Sequence, residues 1–340
     1  MAYTVSSAGL RAICEVAQHA GVNTRSALRA ADIDPKLLSF RDGQVSFSAV
    51  DQLLNNLAEA LSSDSFGLRA AEAWRVSDLR SLGLLLQHLP TLRDVLTATT
   101  THGLRFQTSF IGELREEGDT FIVQIEARAP TEGRHVIEYH LGTMIRMMQS
   151  VMGHRWRPIS VHTGFPMFED RAAERRLFGD RMHFDSAFTG MVGDARDLDR
   201  PLRHPEPEFE RQALRLLEQQ PPLDEGDVVQ QVKDQILLLM PRGAATLPMI
   251  AKAMSMTERS LQRRLSSRGF EFTELLNAVR RDIAVKSLAN RNIPISQITA
   301  RLGYSDASTF GRWFKTQFQI APAHWRDRRP NPSLGSGTTH

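Results

Sequence analysis

The chain has 340 residues, of which 41% are hydrophobic and 24% charged, with a formal net charge of +3. This length predicts two domains, because one core rarely serves more than about 250–300 residues. No apolar run approaches the roughly 18 residues of a membrane span, and Met1 to Cys14 lacks the basic and apolar blocks of a secretory signal. The single cysteine, Cys14, excludes an intrachain disulfide, so we expect a cytoplasmic protein.

The charges are unevenly distributed along the chain. Residues 227–340 contain 17 Lys and Arg against 8 Asp and Glu, a net charge of +9. The preceding residues therefore carry 25 basic and 31 acidic side chains, a net charge of −6. A basic C-terminal third on an acidic body is typical of a nucleic-acid reader attached to another domain, although charge alone leaves an ordinary solvated basic surface open.

Helical spacing of apolar residues predicts four helices in the N-terminal part, over 7–20, 50–61, 79–86 and 91–103. Thr91 is placed to cap the fourth helix, because its hydroxyl can accept a hydrogen bond from an exposed backbone N–H. The pattern then becomes that of strands. Residues 110–115 and 120–127 are rich in β-branched side chains and flank a Glu-Gly-Asp turn, which predicts a β-hairpin.

The rest of the body mixes helices and strands. The spacing predicts helices over 136–151 and 171–178 and short strands over 158–162 and 182–184. We therefore expect an α+β domain, without the βαβ series and glycine-rich loop that bind nucleotides. A proline-rich patch ends this body, a helix over 206–219 follows, and a linker is predicted near Pro221 to Gly226.

A first helix-turn-helix pattern begins the basic third. Its first helix buries one apolar face, formed by Leu247, Ile250, Ala251 and Met254. After the turn at Ser255 and Met256, Thr257 is predicted to cap a second helix that directs Leu261 and Leu265 inward. The outward side chains that would reach base edges in a major groove are Arg259, Gln262 and Arg263. Arginine pairs well with guanine and glutamine with adenine.

A second pattern repeats this plan. Its buried stripe consists of Ile295, Ile298 and Leu302, and Gly303 makes the turn. Ser305 or Asp306 is predicted to cap the helix that follows, whose inner face is Phe310, Phe314 and Phe318. The predicted groove-facing residues are Ala307, Ser308, Gly311 and Arg312. A long helix over 272–289, with Leu276, Val279 and Ile283 inside, would join the two patterns rigidly.

One such pattern alone could be an ordinary helical hairpin. Two copies in the basic part of the chain favour sequence-specific binding of double-stranded DNA. Arg301 and Lys315 are candidates for phosphate contacts, with solvated charge as the equally weighted alternative.

These residues carry a family signature. Residues 295–315, read with Ala321-Pro322 and Trp325-Arg326, resemble the C-terminal signature of AraC/XylS-family transcription regulators. Residues 257–265 resemble the first recognition helix of that family. The resemblance implies an all-α DNA-binding domain of seven helices with two helix-turn-helix units. It also supports the base-facing positions, at Arg259, Gln262, Arg263, Ser308 and Arg312.

The N-terminal part is similar to the arabinose-binding-type sensor domain of a subgroup that includes ornithine-utilisation and mycobacterial virulence regulators. The segments behind this are 81–83, 90–92, 184–185 and 197–202. The resemblance implies small-molecule sensing and a homodimer, with RNA polymerase as a further candidate partner. We therefore predict an effector-sensing and dimerisation domain over 1–204, a helix and linker over 205–226, a DNA-binding domain over 227–330 and a flexible tail over 331–340.

Three positions depart from the family pattern. Ser255 stands where the first turn usually has glycine, so we expect strain in that turn. Gln319 replaces the usual glycine after Phe318, at the C-cap of the last recognition helix. His324-Trp325 replaces the more usual Glu-Tyr ending, where tryptophan can fill the same core position.

No catalytic or metal-binding pattern accompanies these motifs. The eleven histidines include no His-x-x-x-His pair, so we expect no metal and no cofactor. Met144, Met147, Met148 and Met152 either line an effector pocket or, more simply, form a helical core stripe. Arg105, Arg134 or Arg146 could pair with an effector carboxylate, although solvated side chains are the simpler interpretation.

The sequence thus predicts a transcription regulator controlled by a small molecule and not an enzyme. Two alternatives stay open. The N-terminal domain could only dimerise or bind a protein partner, without an effector. An enzyme fused to a DNA-binding module is the second, and the missing catalytic motifs disfavour it. The effector-binding residues and the choice between activation and repression do not follow from the sequence.

Overall fold

The structure is a computed structural model that describes residues 3–38, 43–102, 109–128, 133–202, 206–218, 227–289 and 293–327. Within this part of the chain, residues up to 184 and residues 189–218 form one compact unit. Residues 185–188 and 227–327 form a second. The predicted tail over 331–340 and the predicted linker over 221–226 lie outside the described residues, as does Arg105.

The first unit is an α+β domain, as predicted. Its helices are α1 (Ala8–His19), α2 (Thr24–Ala30), α3 (Phe47–Ala60), α4 (Phe66–Glu72), α5 (Arg80–His88), α6 (Leu92–His102), α7 (Arg134–Met152), α8 (Ala172–Phe178) and α9 (Pro207–Glu218). Its strands are β1 (Thr4–Ser6), β2 (Gln44–Ser46), β3 (Phe110–Glu117), β4 (Thr120–Ala127), β5 (Ser160–His162), β6 (Met182–His183) and β7 (Gly190–Asp194).

These strands form two sheets. Strands β1 and β2 pair antiparallel, and the larger sheet has the order β3-β4-β7-β5-β6, in which only β5 and β6 run parallel. The predicted hairpin is confirmed, with Phe110 opposite Ala127 and Glu117 opposite Thr120. The predicted cap is confirmed as well, because the Thr91 hydroxyl accepts from the Asp94 backbone N–H at 3.2 Å.

Two buried clusters stabilise the first unit. One packs α7 and the five-stranded sheet against α5, α6 and α9, and the other surrounds α1 and α3. Met144, Met147 and Met148 are buried in the first cluster and Met152 is partly buried against it, so the core-stripe interpretation of the four methionines is confirmed. Helix α9 contributes Ala213 and Leu217 to the same cluster.

Glycines explain two elements that the sequence analysis did not predict, α4 and β7. A Cβ on Gly67 would clash with the backbone of His135, so glycine lets α4 lie directly on α7. In β7, a Cβ on Gly193 would clash with the ring of Phe121. Glycine ordinarily weakens helices and strands, whereas these two glycines permit close packing.

The second unit is all helical in its described residues. Its helices are α10 (Val228–Leu239), α11 (Leu247–Ala253), α12 (Glu258–Ser266), α13 (Phe272–Ala289), α14 (Ile295–Arg301), α15 (Ala307–Phe318) and α16 (Pro322–Asp327). These seven helices share one core. The predicted inner stripe of α13 is confirmed, because Val279 is buried in this core and Leu276 and Ile283 pack against it, and Leu275 is a further buried residue of the same helix.

No single helix in the described ranges is both long and apolar enough to cross a membrane. One bent pair, Val228–Arg242 with Leu247–Ala253, passes on length and composition alone. Both of its helices contribute buried side chains to the core of the second unit, including Ile236 and Ile250.

Candidate DNA-binding surface

The first helix-turn-helix unit consists of α11 and α12. Ile250 and Ala251 of α11 are buried, and the helix is closed by two backbone hydrogen bonds, from Ser255 N–H to Lys252 O at 3.0 Å and from Met256 N–H to Ala251 O at 2.8 Å. This closure places Ser255 at φ +52°, in the left-handed region that favours glycine. The expected strain at the missing glycine is therefore present in the backbone.

The second helix-turn-helix unit consists of α14 and α15, and its first helix is closed in the same way. Gly303 N–H donates to Ala300 O at 2.9 Å, and Tyr304 N–H donates to Thr299 O at 3.1 Å. Gly303 has φ +74°, and a Cβ there would clash with the carbonyl oxygen of Met240. Glycine is thus required at this turn by both conformation and space, whereas the first turn tolerates serine.

Different residue types cap the two recognition helices. Thr257 accepts from Ser260 N–H at 3.2 Å at the start of α12. Asp306, and not Ser305, caps α15, because its carboxylate accepts from Thr309 N–H at 2.8 Å. The hydrogen bonds that Asp306 accepts from the Thr309 backbone N–H and the Thr309 hydroxyl lower the pKa of Asp306 below its usual value. A charged cap therefore starts the second recognition helix and a neutral one the first.

Numbered from their caps, the two recognition helices expose and bury the same positions. The fourth and eighth residues are buried in both, Leu261 and Leu265 in α12 and Phe310 and Phe314 in α15. The second, fifth and sixth residues face away from the core, and they are Arg259, Gln262 and Arg263 in α12 and Ser308, Gly311 and Arg312 in α15. The structure thus brings the predicted base-facing residues of each helix onto one face.

The outward faces differ in chemistry. Arg259, Gln262 and Arg263 are exposed and make no side-chain hydrogen bond or ion pair within the described part of the chain. In α15, Ala307 and Ser308 are small and exposed, and a Cβ added at Gly311 would meet no atom within 4 Å. The protein's own packing therefore leaves room for a side chain at position 311.

The predicted phosphate contacts lie at the edges of this surface. Lys315 is exposed on α15, one helical turn after Gly311. Arg301 is half-buried at the last residue of α14. Both remain predictions as DNA contacts.

Aromatic packing holds α15 in place. The rings of Phe314 and Phe318 stack with centroids 4.4 Å apart, and Trp325 meets Phe314 edge-on at 6.2 Å. Trp325 therefore fills the expected core position. Trp313 Nε1 donates to Asn277 Oδ1 at 2.9 Å, which fixes α15 to the long helix α13.

The last recognition helix ends without glycine. Gln319 adopts φ +58° and its backbone N–H donates to Lys315 O at 2.8 Å. The departure from the family pattern thus preserves the left-handed C-cap, at the steric cost that a Cβ imposes there.

Sequence reasoning missed one polar contact on this surface. Arg312 Nη2 donates to the Thr309 hydroxyl oxygen at 3.3 Å, and that hydroxyl donates to Asp306 Oδ2 at 2.8 Å. The signal was available as Asp, Thr and Arg spaced by three residues from the cap, since side chains three apart are neighbours on a helix.

The candidate effector contacts of the first unit are less exposed than expected. Arg134 is paired with Glu138 and lies 4.1 Å above the Phe168 ring, so its interpretation as a solvated side chain was wrong. Burial raises the pKa of Glu138 to about 8, against the opposing effect of Arg134. Arg146 is half-buried. In the described residues no group of three or more His, Cys, Asp and Glu could hold a metal ion.

Comparison with known proteins accounts for both units. Residues 21–202 match the family described as the arabinose-binding domain of AraC transcription regulator, N-term, and residues 250–328 match a helix-turn-helix domain. The first match spans more than half of the chain. The chain belongs to the AraC family of transcription regulators.

Relatives of this AraC-family protein align over nearly its full length. The HTH-type transcriptional regulator VirS of Mycobacterium tuberculosis is 27% identical, covering 90% of this chain and 91% of VirS. The ornithine utilization regulator of Pseudomonas aeruginosa is 22% identical, covering 93% and 94%. The crystal structure of the transcriptional regulator CdpR from Pseudomonas aeruginosa aligns with a TM-score of 0.42 at 20% identity, covering 89% of this chain and 96% of CdpR.

Proposed function

We propose that this AraC-family regulator reads DNA through the outward faces of α12 and α15 and that a small molecule bound in its first unit controls the binding. One observation supports this DNA-binding surface above all. The two helices are equivalent in the positions of their caps, their buried residues and their outward residues. In this proposal the base-facing residues are Arg259, Gln262, Arg263, Ala307, Ser308, Gly311 and Arg312. Arg301 and Lys315 contact phosphates.

The two helices contribute unequally to sequence recognition. Helix α12 offers three long polar side chains, of which arginine and glutamine can each pair with a base edge. Helix α15 offers mainly Ser308 and Arg312, so it relies more on close approach, thymine methyl groups and the shape of the DNA. The half of each site that α12 reads therefore carries most of the sequence information.

The first unit is the proposed sensor. This is supported by its match to an arabinose-binding domain and by the name of the relative that regulates ornithine utilization. An effector would shift a dimer between geometries that place its readers differently on paired half-sites. RNA polymerase is a further proposed partner. The proposal assigns sensing and dimerisation to residues 1–204, a helix and linker to 205–226 and DNA binding to 227–330.

The alternative is a dimeric regulator whose first unit binds no effector, or binds a protein. The relatives are named as regulators, which gives an enzyme fused to a DNA-binding module no support. Size-exclusion chromatography with a thermal-shift panel of metabolites separates the two readings of the first unit. A metabolite that raises the melting temperature at unchanged oligomeric state supports sensing.

DNA protection by the purified full chain tests the proposal directly. A DNA site selected from a random pool would be protected with and without the metabolites that shift the melting temperature. We expect the effector to change occupancy or the length of the protected region. Unchanged protection and unchanged transcription across the panel would contradict effector control but leave DNA reading intact.

A further inference from the structure

The Arg312 side chain of the second recognition helix is held in place by its own helix. The Asp306 carboxylate uses Oδ1 to accept from Thr309 N–H at 2.8 Å and Oδ2 to accept from the Thr309 hydroxyl at 2.8 Å. The Ser305 hydroxyl donates to the same Oδ2 at 3.2 Å. The Thr309 hydroxyl has one proton, which it uses to donate its hydrogen bond to Asp306.

This leaves the Thr309 oxygen as an acceptor toward Arg312. Arg312 Nη2 donates to it at 3.3 Å, which completes a chain from the cap carboxylate to the guanidinium. A hydroxyl that donates to a carboxylate becomes a better acceptor, because hydrogen bonds in a chain polarise one another. Among the described residues, Arg312 uses one of its five N–H donors, so the guanidinium keeps a pair of donors for a base or phosphate.

The first recognition helix has no such chain. At the matching positions, the Thr257 hydroxyl donates to the Ser260 hydroxyl oxygen at 3.0 Å. Arg263, the counterpart of Arg312, makes no side-chain hydrogen bond or ion pair in the described ranges. The difference arises from two substitutions in register, aspartate for threonine at the cap and threonine for serine three residues later.

We infer that Thr309 is a positioning residue for DNA recognition, which orients the Arg312 guanidinium before DNA binds. This rests on the proposed contact of Arg312 with a base edge. Fixing a long side chain in advance spares the entropy that binding would otherwise cost, about 0.5–1.5 kcal/mol, which corresponds to a factor of about two to ten in affinity. The outward face of α15 offers few long polar side chains, so the orientation of Arg312 matters more than that of Arg263.

A double-mutant cycle on the full chain tests this inference. Thr309→Val removes the hydroxyl at similar volume and leaves the Thr309 N–H bond to Asp306 in place, whereas Thr309→Ser keeps the hydroxyl. Each variant is combined with Arg312→Ala and titrated against the selected DNA site and against sites changed at single base pairs. The control is Ser260→Ala, at the matching position of α12.

We expect Thr309→Val to reduce the ratio of affinities for the selected and the changed site two- to tenfold at the base pair that Arg312→Ala identifies. In the Arg312→Ala background it should have little effect. Thr309→Ser and Ser260→Ala should stay near wild type in preference. An equal Thr309→Val effect in both backgrounds, or none, overturns the positioning role alone. If Arg312→Ala itself leaves preference unchanged, the proposed base contact fails and the inference fails with it.

Discussion

The two helix-turn-helix units share a backbone plan but meet its demands with different residues. The first turn places serine in the left-handed region, while the second uses glycine under the Met240 carbonyl. The first recognition helix has a neutral cap and three long polar side chains, whereas the second has a charged cap and a mostly small outward face. The buried positions therefore fix where a recognition helix lies, while the outward positions are free to differ.

The largest expected effect is a loss of stability that distinguishes the second turn from the first. Gly303→Ala should lower the free energy of unfolding of the second unit by about 2–5 kcal/mol, because the new methyl group adds left-handed strain and a clash. Hydrogen exchange of the α14 and α15 amides, followed by mass spectrometry, measures this loss. The matched Ser255→Ala should change little, since a Cβ is already present there. Equal losses at both positions would remove the difference between the turns.

The outward faces are compared by removing one arginine from each. Arg263→Ala should cost about 1–3 kcal/mol on the selected site and relax preference at one base pair. Arg312→Ala should affect a base pair in the other half of the site. Titrations against singly substituted sites measure both. A uniform loss on all sequences would instead assign the arginine to a phosphate contact.

Acid should distinguish the two caps. The pKa of Asp306 is lowered in the folded protein, so its stabilisation is present above the ordinary aspartate pKa and is lost as pH falls through the lowered value. Thr257→Ala should cost about 1 kcal/mol at every pH. Asp306→Ala should be destabilising at neutral pH and become neutral in strong acid. Amide exchange of α12 and α15 across pH checks this, and a pH-independent Asp306→Ala loss would show that its charge is irrelevant.

The smallest effect is a gain. Ser255→Gly relieves the left-handed strain at φ +52°, but glycine is also more flexible in the unfolded chain, so we expect a net gain of about 0.5–1 kcal/mol. Thermal unfolding of the full chain, with exchange of α11 and α12 amides, measures it. A loss of stability would mean that the Ser255 side chain contributes more than the strain costs.

Much of the second unit was predictable because its signals are local. Helical spacing found both recognition helices, and hydroxyl or carboxylate residues before them marked their caps. Glycine-dependent packing of α4 against α7 and of β7 beside β4 was not predictable, because it depends on distant residues, the His135 backbone above Gly67 and the Phe121 ring above Gly193. The same holds for Trp313 and Asn277, which lie on different helices.

The unequal length of the two turns constrains protein engineering. Ser255 and Gly303 are 48 positions apart, but the caps Thr257 and Asp306 are 49 apart, because Ser305 lengthens the second turn. Consider a chimera in which one helix-turn-helix unit replaces the other, with the two sequences aligned at Ser255 and Gly303. Every recognition residue would then be shifted by one position, a rotation of about 100° around the helix. Grafts that aim to move sequence preference between AraC-family proteins should therefore be joined at the cap.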